Sequence, residues 1–217
     1  MSFSKESKFL RQAKFLTVIF VVFLISGVVL GQQNESSSLT RYEKDEKWGF
    51  LDKSGAFVIA PQFDWVSDFS EDLAAVMVGN KYGFINETGA IVIKPLYTDF
   101  GDFSEGLARV KVGGVTVSRT GSTIRKHSDN NWRYIDKFGN TVFKFRADSV
   151  GDFSEGVASA CIIKGDGYLY CGYIDKQGQW VIEPQFGSCE PFSNGIATVL
   201  LNGKWRQIDQ QGKFIDR

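Results

Sequence analysis

Lys47-Trp48-Gly49-Phe50-Leu51-Asp52-Lys53-Ser54-Gly55-Ala56-Phe57-Val58-Ile59-Ala60-Pro61-Gln62-Phe63 decides how this chain folds, because the same pattern starts again at Lys81 and returns at Asn131, Tyr170 and, cut short, at Lys204. The first two starts, 47 and 81, lie 34 residues apart. A unit of that size cannot bury its own apolar face and must stack on its neighbours, so a fixed period of this kind marks a repeat array. The units are residues 47 to 80, 81 to 130, 131 to 169, 170 to 203 and a half unit, 204 to 217. The second is lengthened by a polar insertion at residues 113 to 130.

Alignment of the units makes columns. Trp48, Tyr82, Trp132, Cys171 and Trp205 are equivalent; Gly49, Gly83 and Gly172 follow them, with Arg133 and Arg206 in that slot in the third and fifth units. Gly55, Gly89, Gly139, Gly178 and Gly212 form an unbroken column. Pro61, Pro95 and Pro184 match, as do Phe69, Phe103, Phe153 and Phe192.

Each unit reads as three short strands, in the first unit residues 48 to 52, 56 to 59 and 73 to 78, rich in aromatic and β-branched side chains. Asp52 to Gly55 suits a type I turn with its glycine free to take positive φ, and the same slots hold Asn86, Asp136, Asp175 and Asp209. These carboxylates are therefore read as turn formers rather than as a catalytic set. Gly79-Asn80 and Asn202-Gly203 read as two-residue hairpin loops, which pair the third strand of one unit with the first strand of the next and set Met77 opposite Tyr82 and Leu200 opposite Trp205. The aromatic of each Trp-Gly is then expected to pack across the strand pair, and Pro61 to end strand pairing. The fold class is all-β, a repeat array of three-stranded antiparallel units. Because strand twist accumulates, the array either stays open and twisted or closes into a propeller-like ring; incomplete units at both ends favour the open form, with residues 204 to 217 as a cap.

The order Trp-Gly-aromatic-Ile-Asp, then Gly, then Val-Ile-x-Pro-x-aromatic, then Phe-Ser-Glu-Gly-x-Ala-x-Val resembles the WG-repeat (KWG) family over residues 47 to 217. Arg133, Cys171, Arg206 and Phe145, the last where a proline is expected, depart from its pattern. The resemblance implies a bacterial surface or envelope protein with no shared enzymatic activity and no catalytic residues.

The whole chain of 217 residues carries 25 basic and 25 acidic side chains. Residues 1 to 31 hold Lys5, Lys8, Arg11 and Lys14 against Glu6, so 21 basic and 24 acidic groups remain beyond them. A net charge of −3 argues against a nucleic-acid partner. The basic start, the uncharged stretch at residues 15 to 30 and the polar residues from Gln32 onward match a secretory signal peptide cleaved before Gln32, with an uncleaved membrane anchor the alternative. Residues 32 to 46 are then a polar leader. On either reading the repeats are exported, to the periplasm, the cell surface or the medium, and any membrane contact is through residues 15 to 30.

Cys161 and Cys171 are placed symmetrically about Asp166, so a hairpin turning at Gly165 to Gly167 sets them face to face, in the slots of Met77 and Tyr82. A cross-strand disulfide is expected there, two unlinked buried thiols being the alternative. Cys189 aligns with Val66, Phe100 and Val150 and reads as a small buried apolar residue. No metal or cofactor motif is present in the sequence, and His127 lies in the polar insertion without a nucleophile or carboxylate arranged about it.

The expectation is a non-enzymatic exported module that binds a protein or peptide, or alternatively a glycan. Trp65 and Trp180, which lie outside the Trp-Gly column, are candidate ligand platforms against the plainer reading of both as core; Arg125, Lys126 and His127 offer a positive loop to an acidic partner.

Overall fold

The computed structural model describes residues 38–113, 115–120, 123–128 and 131–215, with residues 115–120 and 123–128 known by their backbone pairing alone. The segment read as signal peptide or anchor, residues 1 to 31, lies outside the described residues. Glu35–Arg217 forms one compact unit. Its described residues are strands and turns with no helix.

The strands fall into five successive modules. The first contains β1 (Thr40–Lys44), β2 (Lys47–Leu51) and β3 (Phe57–Phe63), and the second begins with β4 (Trp65–Val66), β5 (Leu73–Val78) and β6 (Lys81–Asn86). β7 (Ile91–Phe100) closes the second module along its first half and opens the third with its end, where Phe100 pairs with Val110 of β8 (Ala108–Val112). A separate hairpin, β9 (Val115–Thr120) with β10 (Thr123–Ser128), precedes β11 (Asn131–Ile135) and β12 (Thr141–Arg146), which complete the third module. The fourth is β13 (Ser149–Val150), β14 (Val157–Ile163), β15 (Leu169–Asp175) and β16 (Trp180–Phe186); the fifth is β17 (Ser188–Cys189), β18 (Ile196–Leu201) and β19 (Lys204–Asp209). Sharing β7 makes modules two and three one seven-stranded sheet.

A full module therefore has four antiparallel strands, the first of only two residues, where three were expected from sequence. Each module joins the end of one sequence unit to the start of the next, as the hairpin loops require: Val78 pairs with Lys81 and Leu201 with Lys204. Met77 faces Tyr82 and Leu200 faces Trp205, as the pattern predicts. The polar leader is corrected in part, because Thr40–Lys44 is a strand that pairs with β2 across a turn in which Asp45 and Glu46 both hold positive φ. The insertion is likewise not a loop throughout but contains the β9–β10 hairpin.

Four buried clusters lie between successive modules. Phe50, Ile59 and Phe63 of the first pack with Val66, Val76 and Ile85 of the second. Phe84, Ile93 and Tyr97 pack with Phe103, Val110 and Ile135; Trp132 and Tyr134 with Val150, Phe153 and Ile174; Tyr173, Ile182 and Phe186 with Phe192, Val199 and Ile208. Burial of apolar area at about 25 cal/mol per Å2 makes these interfaces the main source of stability. The chain of interfaces runs from first module to fifth, and the array is open.

The turn reading holds in detail. The Asp52 carboxylate accepts from the backbone N–H of Ser54 (2.8 Å) and Ala56 (3.0 Å), and Gly55 has φ +82°. Asn86, Asp136, Asp175 and Asp209 do the same. Hydrogen bonds to the charged form hold two of these carboxyls below their ordinary value, led by the Ser54 hydroxyl at Asp52 and the Asn140 side chain at Asp136.

Candidate binding surface

What the repeated polar residues do inside the array limits what is free to bind. Ser70, Ser104 and Ser154 each donate from Oγ to the carbonyl of the phenylalanine one module on, Phe103 (2.7 Å), Phe153 (2.6 Å) and Phe192 (2.7 Å). The glutamate that follows each serine also reaches forward. Glu71 accepts from the N–H of Gly106 (3.0 Å), Glu105 from Gly156 (3.0 Å) and Glu155 from Gly195 (2.8 Å). Lys137 sits 3.6 Å from Glu71, Lys176 3.1 Å from Glu105, and the Gln210 amide donates to Glu155. Phe-Ser-Glu is thus an inter-module clasp. At the far end Asn194 stands where the glutamate would be, and at the near end Asp72 stands where the donating glycine would be. The far end therefore lacks the carboxylate, and the near end sets an acidic side chain beside its N–H.

The Trp-Gly column packs toward the following module. Trp48 lies against the first cluster, Tyr82 stacks on Phe100 with centroids 4.6 Å apart, and Trp132 is buried against the fourth module. Trp205 has no further module against it among the described residues and is 54% exposed, which corrects the expectation that every aromatic of this column is packed. Gln207 takes the place of the buried Phe50, Phe84, Tyr134 and Tyr173 in the same fifth module and is exposed.

The glycine after the aromatic has a specific cause. In the second module Tyr82 pairs with Tyr97 while Phe84 pairs with Ile93, so three residues, Lys94, Pro95 and Leu96, bulge opposite Gly83. A Cβ on Gly83 would sit 2.5 Å from the Ile93 carbonyl oxygen and 2.7 Å from the Pro95 nitrogen. Gly49 and Gly172 face the same bulges at Pro61 and Pro184. Proline therefore lies inside the strand at its bulge, where its missing N–H costs nothing, and does not end the pairing.

The third module abandons the device. With Arg133 for glycine and Phe145 for proline, residues 143 to 146 of β12 run in unbroken register against β11: Phe143 with Tyr134, Lys144 with Arg133, Phe145 with Trp132, Arg146 with Asn131. Lys144 and Arg146 are exposed and Arg133 is half-buried. None of the three forms an ion pair among the described residues. On the opposite face the buried Trp132 ring meets the Arg109 guanidinium at 5.5 Å and the Lys111 ammonium at 5.2 Å, and its indole N–H finds no hydrogen-bond partner among the described residues.

Cys161 lies opposite Cys171 in the β14–β15 register, and the two are joined by a disulfide with a Cα separation of 4.0 Å. Cys171 is buried in the slot of the aromatic, and Gly172 follows it. Cys189 is a free thiol packed against the last cluster, and burial pushes its pKa up to about 12. Burial likewise raises the Tyr134 and Tyr173 phenols, whose hydroxyls donate to the carbonyls of Gly151 and Glu190, 2.6 Å each.

The two candidate platforms are half-buried. Trp65 packs against Tyr82 and Phe100, Trp180 against Phe145, and they lie in the second and fourth modules without meeting. Arg125, Lys126 and His127 fall on β10 rather than in a loop. No group of three or more His, Cys, Asp or Glu suited to a metal occurs among the described residues. Sequence reasoning missed Arg133, Lys144 and Arg146 as a group. The signal available was the loss of glycine and proline in the same unit, read together with charge counted unit by unit.

An open all-β array of short antiparallel modules, locked by a repeated aromatic-glycine strand and a forward clasp, defines a β-repeat protein. The model of the WG-containing repeat matches the chain four times, at residues 48–82, 82–115, 132–162 and 172–205, and the chain belongs to that family. No curated protein matches the chain.

Proposed function

We propose that the chain is an exported, non-enzymatic scaffold of the bacterial envelope that binds another protein or peptide. The observation that carries this reading is the use of the recurring polar groups in turns and clasps, which leaves the outer edges of the modules, β12 above all, as the surface on offer. An extended array with exposed strand edges suits recognition of a polypeptide, whose backbone can complete the edge. The cross-strand disulfide supports an oxidising, exported compartment. Trp65 and Trp180 are half-buried, which favours the polypeptide reading over the glycan one.

The test is retention of material from an envelope extract by the immobilised chain, in parallel on extract treated with protease or with glycan-degrading enzymes. Protease alone should abolish retention. Loss only after glycan digestion would replace this reading with the glycan one, and retention of nothing in any arm would leave a purely structural role.

A further inference from the structure

The overall charge of zero hides a strong asymmetry. Residues 109 to 146, which make up most of the third module and its hairpin, hold nine Lys or Arg against two Asp or Glu, a net +7. Residues 32 to 108 carry six basic and thirteen acidic groups, net −7, and residues 147 to 217 carry six and nine, net −3. A basic centre therefore lies between acidic flanks.

The same module also differs in its closing strand, β12, the equivalent of β3, β7 and β16. β3, β7 and β16 are interrupted by a proline bulge, which twists an edge away from further pairing, and at β16 the Lys164 ammonium donates to the Pro184 carbonyl (2.8 Å). β12 has no proline, and its residues 143 to 146 are regular. Among the described residues only β11 pairs with it, and no hydrogen bond outside that ladder uses its backbone. Lys144 and Arg146, two residues apart, project from one face of the strand, with Arg133 directly across from Lys144.

We propose that the free edge of β12 is a docking site for an extended acidic segment of a partner protein, which adds to the third module as one more strand. Unpaired backbone groups of the edge supply the hydrogen bonds, and acidic residues at alternate positions of the partner face Lys144 and Arg146 across the new strand pair, where opposite charges attract. Cations on an edge also guard against self-association. That role alone predicts no affinity for an acidic strand. The inference rests on the protein-binding reading and names its site.

The probe is a fluorescein-labelled peptide of about eight residues alternating glutamate and valine, long enough to match a typical strand. It is titrated by anisotropy against the full chain at low salt. Saturable binding is expected, weakened about tenfold or more in the K144E/R146E variant, since that reverses two facing charges. Peptide N-methylated at alternate residues on the edge-pairing side should also lose binding, because its donors are gone. Both substitutions are at exposed positions, and circular dichroism checks that the variant stays folded. No binding, binding indifferent to N-methylation, or equal binding of oligogalacturonate or of phosphatidylglycerol vesicles would overturn strand addition. A protease-sensitive partner still retained from extract by K144E/R146E would sink this site while leaving the general protein-binding reading standing.

Discussion

The second and third modules occupy neighbouring positions in one seven-stranded sheet, and they solve the same packing problem in opposite ways. The second bends its outer strand in a three-residue bulge, which forces glycine at position 83 and tolerates proline at 95. The third keeps residues 143 to 146 of its outer strand in unbroken register, so a side chain fits at Arg133 and Phe145 pairs directly with Trp132. Glycine and proline in this repeat are therefore two halves of one device. Either both are present or neither is needed, and a unit that loses both exchanges a protected edge for a regular one.

Breaking the device where it exists should cost the most. Gly83→Ala drives a methyl group into the Ile93 carbonyl and the backbone at Pro95, and an expected loss of about 3 kcal/mol is readable in urea denaturation. A loss below about 0.5 kcal/mol would show that the bulge yields freely. The fourth module extends the comparison, because it keeps the bulge but replaces the aromatic ring with a covalent bond. Cys161→Ala/Cys171→Ala removes a cross-link closing a short loop and should cost about 2 kcal/mol, measured against the oxidised parent. Equal stability would mean that packing at Cys171 alone holds the strand pair.

Smaller effects sharpen the contrast between what is local to a module and what joins modules. Glu105→Ala removes the acceptor of the Gly156 N–H and the partner of Lys176, and about 1 kcal/mol is expected in the same assay. The smallest change is Arg133→Gly, at which no bulge presses. It should cost about 0.5 kcal/mol, from backbone entropy alone. A cost matching that of Gly83→Ala would refute the claim that the third module has dispensed with the device.

Much of this was legible in the residues because it depends on near neighbours in sequence. Gly79-Asn80 and Asn202-Gly203 fixed the hairpins and with them the cross-strand partners, and the symmetry about Asp166 fixed the place of the disulfide. The strand at Thr40–Lys44 was hidden because TRYEK lacks the repeat pattern and its turn, Asp45-Glu46, holds positive φ without glycine. Pro61 misled because proline reads as a breaker unless the bulge that accommodates it is known. The clasp was out of reach for another reason. Ser104 and Phe153 lie 49 residues apart, and only the stacking of modules brings them together. For the binding surface, periodic reading drew attention to Trp65 and Trp180, whereas the unusual face is the one where the period lapses.

The forward clasp also bears on how such a chain can change its length. A module copied within the array receives a carboxylate from the one before and offers its own to the one after, so internal duplication preserves this clasp across the new junction. A module appended beyond Asn194 would meet an amide in place of the carboxylate, and one placed ahead of Asp72 would aim a carboxylate at another acid. Copying an interior module thus keeps the clasp intact, whereas addition at either end of the clasp series does not.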